Sequence, residues 1–258
     1  MSQQTHQTPP EWGNISGESS HPEVIVIISA DMEWQVVREI LPGAEIQPTP
    51  YGEWFALRVG APTSGLDVNF LHGGWGKIAA AASAEFAIQR WHPDLLVNIG
   101  TCGGFDGHVQ KGEIILAERT VVYDIIEQMG DFDAHIQHYA TELDLAWLGA
   151  ELPSPARRGM LASADRDLFY DEIPNLIAKY GAIAGDWESG AIAWVAARHQ
   201  VPCLILRGVS DVVGGQGSPA YGDMGYFEIG ARQIMENLLT VLPDWLAKFH
   251  KKHSKNLR

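Results

Sequence analysis

The 258-residue chain is 46% hydrophobic and 19% charged, an ordinary globular balance with enough apolar side chains for one large α/β domain. Its formal net charge of −14 argues against a nucleic-acid duplex or an anionic membrane as partner, because both need clustered Lys and Arg. No apolar run approaches the roughly 20 residues of a membrane span, and two distant cysteines, Cys102 and Cys203, point to a reducing compartment without a disulfide framework.

In chain order, residues 1–23 are rich in Gln, Thr, Ser, Pro and His and read as a flexible leader. They lack a basic segment followed by an apolar one, so they are no secretory signal, and a cytoplasmic location is the expectation. Val24-Ile25-Val26-Ile27-Ile28 is a continuous β-branched run, suited to a strand buried on both faces. Mixed residues 33–41 follow, stopped by Pro42-Gly43 as a helix would be. Residues 54–60 and 67–72 read as strands around an Ala61-Pro62-Thr63-Ser64-Gly65 turn. Gly73-Gly74-Trp75-Gly76 then opens an Ala-rich helix to about Arg90. Leu95-Leu96-Val97-Asn98-Ile99 predicts a second buried strand, ending at Gly100-Thr101-Cys102-Gly103-Gly104.

Residues 113–118 and 159–163 are further strands, 188–199 a helix, 202–209 a strand and 225–242 the last long helix. Gly214-Gly215-Gln216-Gly217-Ser218-Pro219 predicts a mobile loop. The last eleven residues carry five Lys/Arg and no acid, which suits a solvated helix end. The resulting division is a leader (1–23), one folded domain (24–246) and a basic tail (247–258). Strands alternating with helices predict a single α/β domain with a central mixed, mostly parallel sheet flanked by helices. Ligands of such sheets sit beyond the carboxyl ends of the strands.

Single motifs read weakly. Gly74-Trp75-Gly76-Lys77-Ile78-Ala79 fits the dinucleotide pattern G-x-G-x-x-A, but the only acid at the right distance, Asp94, precedes the next strand instead of ending it. A tight turn that packs the helix closely is the better reading. Gly76-Lys77 lacks the Ser/Thr and the first glycine of a Walker loop. His135 and His138 are spaced for one helix face, yet no third metal ligand accompanies them, and no metal or organic cofactor is expected. Asp186-Trp187-Glu188 opens an apolar helix, and Arg207-Gly208-Val209-Ser210-Asp211 ends a buried strand. Each alone passes for a helix cap or a salt-bridged strand end. Together they gather polar groups where a ligand site belongs.

In order along residues 24 to about 242, these strings resemble the nucleoside phosphorylase/nucleosidase family, above all its methylthioadenosine/adenosylhomocysteine nucleosidase branch. Gly74-Trp75-Gly76-Lys77 is similar to the family's G-x-G-K, and Asn98-Ile99-Gly100-Thr101-Cys102-Gly103-Gly104 to N-x-G-[ST]-x-G-G. Asp186-Trp187-Glu188-Ser189-Gly190-Ala191 resembles E-M-E-x-x-A, and residues 207–211 resemble R-x-[IV]-S-D. The resemblance implies hydrolysis of a purine nucleoside's N-glycosidic bond, no cofactor and a homodimer. It makes Asp211 the acid that protonates purine N7, with Ser210 and Arg207 positioning it. It puts Glu188 on the ribose hydroxyls, Trp187 against sugar or base, and Thr101 near the nucleophile.

Asn98 stands where many phosphorylases carry an arginine, and Ser29-Ala30-Asp31 replaces their G-D-P-x-R loop. Water is therefore favoured over phosphate as nucleophile. Aligned on Ala30, the water-activating glutamate falls on Trp34, which leaves Glu33, one residue earlier, or Asp31 for that role. A phosphorylase, a non-catalytic nucleoside-binding relative and a Rossmann oxidoreductase remain as alternatives.

Overall fold

Five β-branched residues in a row cannot alternate between core and solvent, and Val24 to Ile28 are all 0% exposed. The computed structural model describes residues 12–14, 22–41, 45–60, 65–215 and 217–256. Its strands are β1 (Trp12–Asn14), β2 (Val24–Ile28), β3 (Gln47–Thr49), β4 (Gly52–Val59), β5 (Leu66–His72) and β6 (Leu95–Phe105). They continue as β7 (Ile114–Val122), β8 (Ala140–Glu142), β9 (Arg157–Ser163), β10 (Ala182–Asp186) and β11 (Cys203–Val213). The helices are α1 (Asp31–Ile40), α2 (Lys77–Trp91), α3 (Phe132–His138), α4 (Ile173–Tyr180), α5 (Ser189–Arg198) and α6 (Met224–Asn256).

All eleven strands among the described residues join one sheet. Its middle is parallel: β2 pairs with β5 and β6, and β6 with β11. Antiparallel pairs of β10 with β6 and β11 with β7 then close β6, β10, β9, β7 and β11 into a ring. The sheet is thus mixed: parallel pairings, the longest of which joins β6 and β11, lie in its middle and around β9, and antiparallel pairings attach β1, β3, β4 and β8 and close the ring. Side chains of β2 alternate between two cores. Val24, Val26 and Ile28 pack with residues of α1 and α6, whereas Ile25 and Ile27 pack with those of α2 and α5. A third cluster joins Phe105 and Val121 to Ile173 and Leu176 of the α4 side.

Three expectations change. Part of the supposed leader is structural, since Trp12–Asn14 pairs with β4 and the Trp12 ring meets Phe70 edge-on at 5.4 Å. The strands read as ending at Ile99 and Val209 run on to Phe105 and Val213. The glycines that suggested a strand end instead admit close neighbours. A Cβ on Gly104 would lie 2.5 Å from Val109 and 2.7 Å from Val209. Finally, α6 continues through Pro243 to Asn256. An interior proline costs about 3 kcal/mol, and burial of Leu242, Trp245, Leu246 and Phe249 on one side offsets it. The basic end of this helix folds back on acids, with His250 3.4 Å from Glu23 and His253 3.5 Å from Asp94. The Pro42-Gly43 stop and residues 61–64 of the proposed turn lie outside the described residues.

α6 crosses β11 at Gly208, where an added Cβ would sit 2.2 Å from Ile234 Cγ2 and 3.2 Å from its Cβ. The stem of a buried side chain cannot swing away, so Gly208→Ala is expected to lose about 1–3 kcal/mol of stability in urea denaturation. Adding Ile234→Val should recover part of that loss. An undiminished midpoint in Gly208→Ala would show that α6 is free to shift.

Candidate active site

Arg207, near the middle of β11, is 1% exposed and surrounded by polar partners. Its Nε donates to Ser189 Oγ at 2.9 Å and lies 2.8 Å from Asp186 Oδ2. Its Nη2 donates to Asn98 Oδ1 at 2.7 Å and reaches Glu188 Oε2 at 3.5 Å. Burial alone would lower its pKa, but Asp186, Glu188 and Glu33 together raise it, so the guanidinium stays charged. Asn98 also donates to Ile27 O at 2.9 Å, tying the cation to β2. Asp186 in turn accepts from Ser163 Oγ at 2.5 Å and from the Ser189 hydroxyl.

The carboxyl end of β10 turns directly into α5, which brings Glu188 back over the sheet. Its Oε1 accepts from the Gly76 N–H at 3.0 Å. Gly76 sits at φ +84, and Gly74 at +77, so the glycines of the G-x-G string serve a left-handed turn that aims this N–H. Burial pushes the Glu188 carboxyl up to about 7, against the pull of Arg207 and with a further push from Asp186.

Glu33 enters from the first turn of α1 and is 2% exposed. Its Oε1 accepts from the Thr101 N–H at 2.6 Å and the Thr101 hydroxyl at 2.8 Å, while Oε2 has no hydrogen-bond partner. Burial raises its pKa, opposed by Arg207 and the Thr101 bonds. Successive helical residues point about 100° apart, so Trp34 turns into the core. There it stacks on His72 at 5.4 Å, and its Nε1 donates to Glu53 Oε1 at 2.7 Å. Asp31 is largely exposed and pairs with His72 at 3.1 Å.

A bulge between β11 and β6 at Val209/Asp211 inserts one extra residue. It turns Ser210 and Asp211 together towards a cavity of about 770 Å³ that Glu33, Thr101, Trp187 and Glu188 also line. Asp211 Oδ1 accepts from Ser210 Oγ at 2.6 Å, and Oδ2 from the Ser218 hydroxyl. Trp187 meets the exposed Trp75 edge-on at 5.5 Å.

The profile of the Phosphorylase superfamily matches residues 25–241. The chain belongs to this superfamily. Among relatives, the 5′-methylthioadenosine/S-adenosylhomocysteine nucleosidase of Haemophilus influenzae (strain PittEE) is 28% identical over 190 residues, covering 69% of this chain and 82% of the relative. Two solved structures share the superfamily fold. The 5′-methylthioadenosine nucleosidase of Arabidopsis thaliana has a TM-score of 0.68 at 22% identity, covering 87% of this chain and 96% of the other. The corresponding nucleosidase of Colwellia psychrerythraea, solved with adenine, has a TM-score of 0.67 at 21% identity, covering 89% and 96%.

For this phosphorylase-superfamily chain, all seven residues singled out from the sequence meet around one cavity or directly beneath it: Glu33, Thr101, Trp187, Glu188, Arg207, Ser210 and Asp211. Arg207 is not beside Asp211 as the resemblance implied. It underlies Glu188 and Asp186 instead, and Asp211 is held by two serine hydroxyls. Ser163, Ser189 and Ser218 were not foreseen. Ser189 lies inside the quoted string, but nothing in the local sequence marks Ser163 or Ser218. Cys102 lines the cavity, yet burial and the neighbouring Asp186 push its thiol up, which leaves it protonated. His135 and His138 lie away from the cavity, and no metal-ligand cluster occurs among the described residues.

Glu188 holds its proton more tightly in the folded chain than in the unfolded one. This contribution to stability is full below the ordinary value of 4.5 and is lost as pH rises through about 7. Glu33 acts with the same sign. Urea stability is therefore expected to decline from mildly acid to mildly alkaline pH, with Glu188→Gln removing about 1–3 kcal/mol of that decline. Identical pH slopes in the two proteins would locate the titration elsewhere.

Proposed function

We propose that the chain hydrolyses the N-glycosidic bond of a purine nucleoside of the methylthioadenosine/adenosylhomocysteine type, releasing the free base and a free sugar. The observation that carries this reading is the unpartnered Oε2 of buried Glu33, in the same cavity as the carboxyl of Asp211 and the carboxyl of Glu188. Three carboxyl groups around one cavity supply a base, an acid and a stabiliser of positive charge. These are the groups that glycosidic hydrolysis requires.

In the proposed reaction, Glu188 accepts hydrogen bonds from the ribose hydroxyls and stabilises the oxocarbenium character at C1′. Asp211 gives its proton to purine N7 as the C1′–N9 pair moves into the base. Glu33 takes a proton from water whose oxygen bonds to C1′. One water is consumed, and the proton lost by Asp211 is replaced by the one gained at Glu33. Trp187 packs against the sugar, and Thr101 fixes Glu33 in line.

Water is favoured over phosphate by charge. Arg166 is the only Lys or Arg on the cavity wall among the described residues, and it pairs with Glu172 at 2.6 Å. The Arg207 donors face Ser189, Asp186, Asn98 and Glu188. A phosphate dianion would meet carboxylates without a guanidinium fork to hold it. The relatives' names support adenine as the base.

We further propose a cytoplasmic homodimer. Buried, unpaired Cys102 and Cys203 support a reducing setting, and no helix of the described residues is long and apolar enough to cross a membrane. Trp75, Ile78, Ile126 and Met129 are exposed at 60%, 85%, 66% and 97%, and the Lys77–Asp124 pair brings their segments together beside the cavity. Light scattering should return twice the 28.3 kDa of one chain, and charged residues at Ile78 and Met129 should return one. A wild-type monomer would refute the assembly.

Base release measured by chromatography in phosphate-free buffer tests the reaction. Asp211→Asn is expected to lower turnover by roughly 100-fold or more, as loss of a general acid does. Glu33→Gln should be nearly as damaging. Release only with added phosphate would make the protein a phosphorylase. Full turnover by Glu33→Gln would move the base to another group.

A further inference from the structure

The lysine of the G-x-G-K string has no part in the proposed reaction, yet it joins a closed set of contacts beside Glu188. Gly76 is the N-cap of α2 and brings no capping side chain, and the first turn of the helix holds no acid. The free N–H groups of this turn need acceptors from elsewhere. The Gly76 N–H donates to Glu188 Oε1 at 3.0 Å, and the Lys77 N–H to Asp165 Oδ1 at 2.7 Å. A Cβ on Gly76 would lie 3.2 Å from that same Asp165 oxygen, at a φ of +84 that disfavours side chains. Position 76 therefore cannot carry a cap of its own, and two carboxylates from distant parts of the chain cap the helix.

These carboxylates come from a regular arrangement. β7, β9 and β10 are parallel neighbours whose last residues, Val122, Ser163 and Asp186, are in register. Two residues beyond each strand lies an acid: Asp124, Asp165 and Glu188. Asp124 pairs with the Lys77 ammonium, and its Oδ2 accepts from the Asp165 N–H at 3.0 Å. Lys77 Nζ also lies 3.7 Å from Asp165 Oδ2. The contacts form a circuit, from the Lys77 main chain to Asp165, from the Asp165 main chain to Asp124, and from Asp124 to the Lys77 side chain. The side chains of Lys77 and Asp124 are only 17% and 16% exposed, so solvent and salt weaken this pair less than a surface pair.

We propose that Asp165, together with Lys77 and Asp124, is a positioning residue for Glu188: the circuit fixes the start of α2 so that the Gly76 N–H orients the Glu188 carboxylate for the ribose hydroxyls. This role rests on the hydrolase reading, which gives Glu188 the ribose. None of the three lines the cavity, so each acts through Gly76. Arg207 reaches Glu188 Oε2 only at 3.5 Å, and the Gly76 bond is the closer of the two. Burial raises the Glu188 carboxyl, and Arg207 and then the Gly76 N–H oppose it. The same bond thus favours the ionised form, which accepts from hydroxyls.

Asp165→Ala removes the acceptor of the Lys77 N–H, whereas Asp165→Asn keeps an oxygen for it. In Asp165→Ala, kcat/KM for base release from 5′-methylthioadenosine is expected to fall about tenfold, as misplacement of a substrate-holding group does. Asp165→Asn should recover most of that loss. Inhibition by adenine, which has no ribose for Glu188 to hold, should match the wild type in both. In a Glu188→Gln background Asp165→Ala should cost little further, because its effect runs through that carboxylate. Lys77→Met is read in the same way should Asp165→Ala fail to fold. An unchanged kcat/KM, an equal loss of adenine inhibition through general loosening of the cavity, or full addition of the Asp165 and Glu188 losses overturns the proposal and leaves the hydrolase reading intact. Should the wild type release no base, the hydrolase reading fails, and calorimetric affinities for the nucleoside and for adenine carry the same comparison. Failure of both to bind overturns the two together.

Discussion

A guanidinium withdrawn from water is expensive unless several acceptors replace its hydration, and Arg207 meets that demand with groups from four parts of the chain. Asn98 comes from β6, Asp186 from the end of β10, Ser189 from the first turn of α5, and Glu188 from the turn between β10 and α5. The cation therefore fixes how β6, β10 and β11 converge where the sheet closes into a ring. Glu33 joins the same field from α1. Removing one acid would leave part of a buried charge uncompensated, a loss of about 3–5 kcal/mol in comparable pairs. Fold and site are thus one electrostatic unit around this side chain.

Close approach of backbone makes that unit possible. A Cβ on Gly100 would lie 2.3 Å from Arg207 Nη1 and 2.7 Å from Glu33 Oε2. Any larger residue at position 100 would separate the cation from the carboxylate it helps to hold. Gly190 plays a similar part at the start of α5, where its N–H donates to Ser163 Oγ at 2.8 Å and a Cβ would lie 2.8 Å from Val122. The glycines at 100, 104 and 190 are thus packing requirements inside a strand and at a helix start.

Much of this was legible in the sequence because the buried strands are continuous apolar runs and the polar strings sit at their ends. The short strands β1, β3, β8 and β10 were not. Three to five residues show no period, and they depend on partners far away in the chain. The phase of α1 was the other obscure point. Counting from Ala30 put Trp34 in the site, but a one-residue offset rotates a helical side chain by about 100°. Partners resolve the phase. The Trp34 indole finds Glu53 and His72 on the core side, whereas Glu33 finds two donors on Thr101. Ser218 escaped because its role comes from a loop folding back on Asp211, which no local pattern encodes.

The position of each carboxyl group relative to Arg207 also sets the proposed base and the proposed acid in different surroundings. Glu188 touches Arg207, and Glu33 shares its field. Both are pushed up by burial and pulled back by that charge, which keeps the ionised form within reach. Asp211 stands apart, across the bulge, and its partners are the hydroxyls of Ser210 and Ser218. A hydroxyl can donate to a carboxylate or accept from a carboxylic acid, so it holds Asp211 in place in either state. The bulge in β11 is what creates this division. Without the extra residue Ser210, the strand's alternation would carry Asp211 to the opposite face of the sheet. Asp211 would then leave the cavity that Glu33 and Glu188 share.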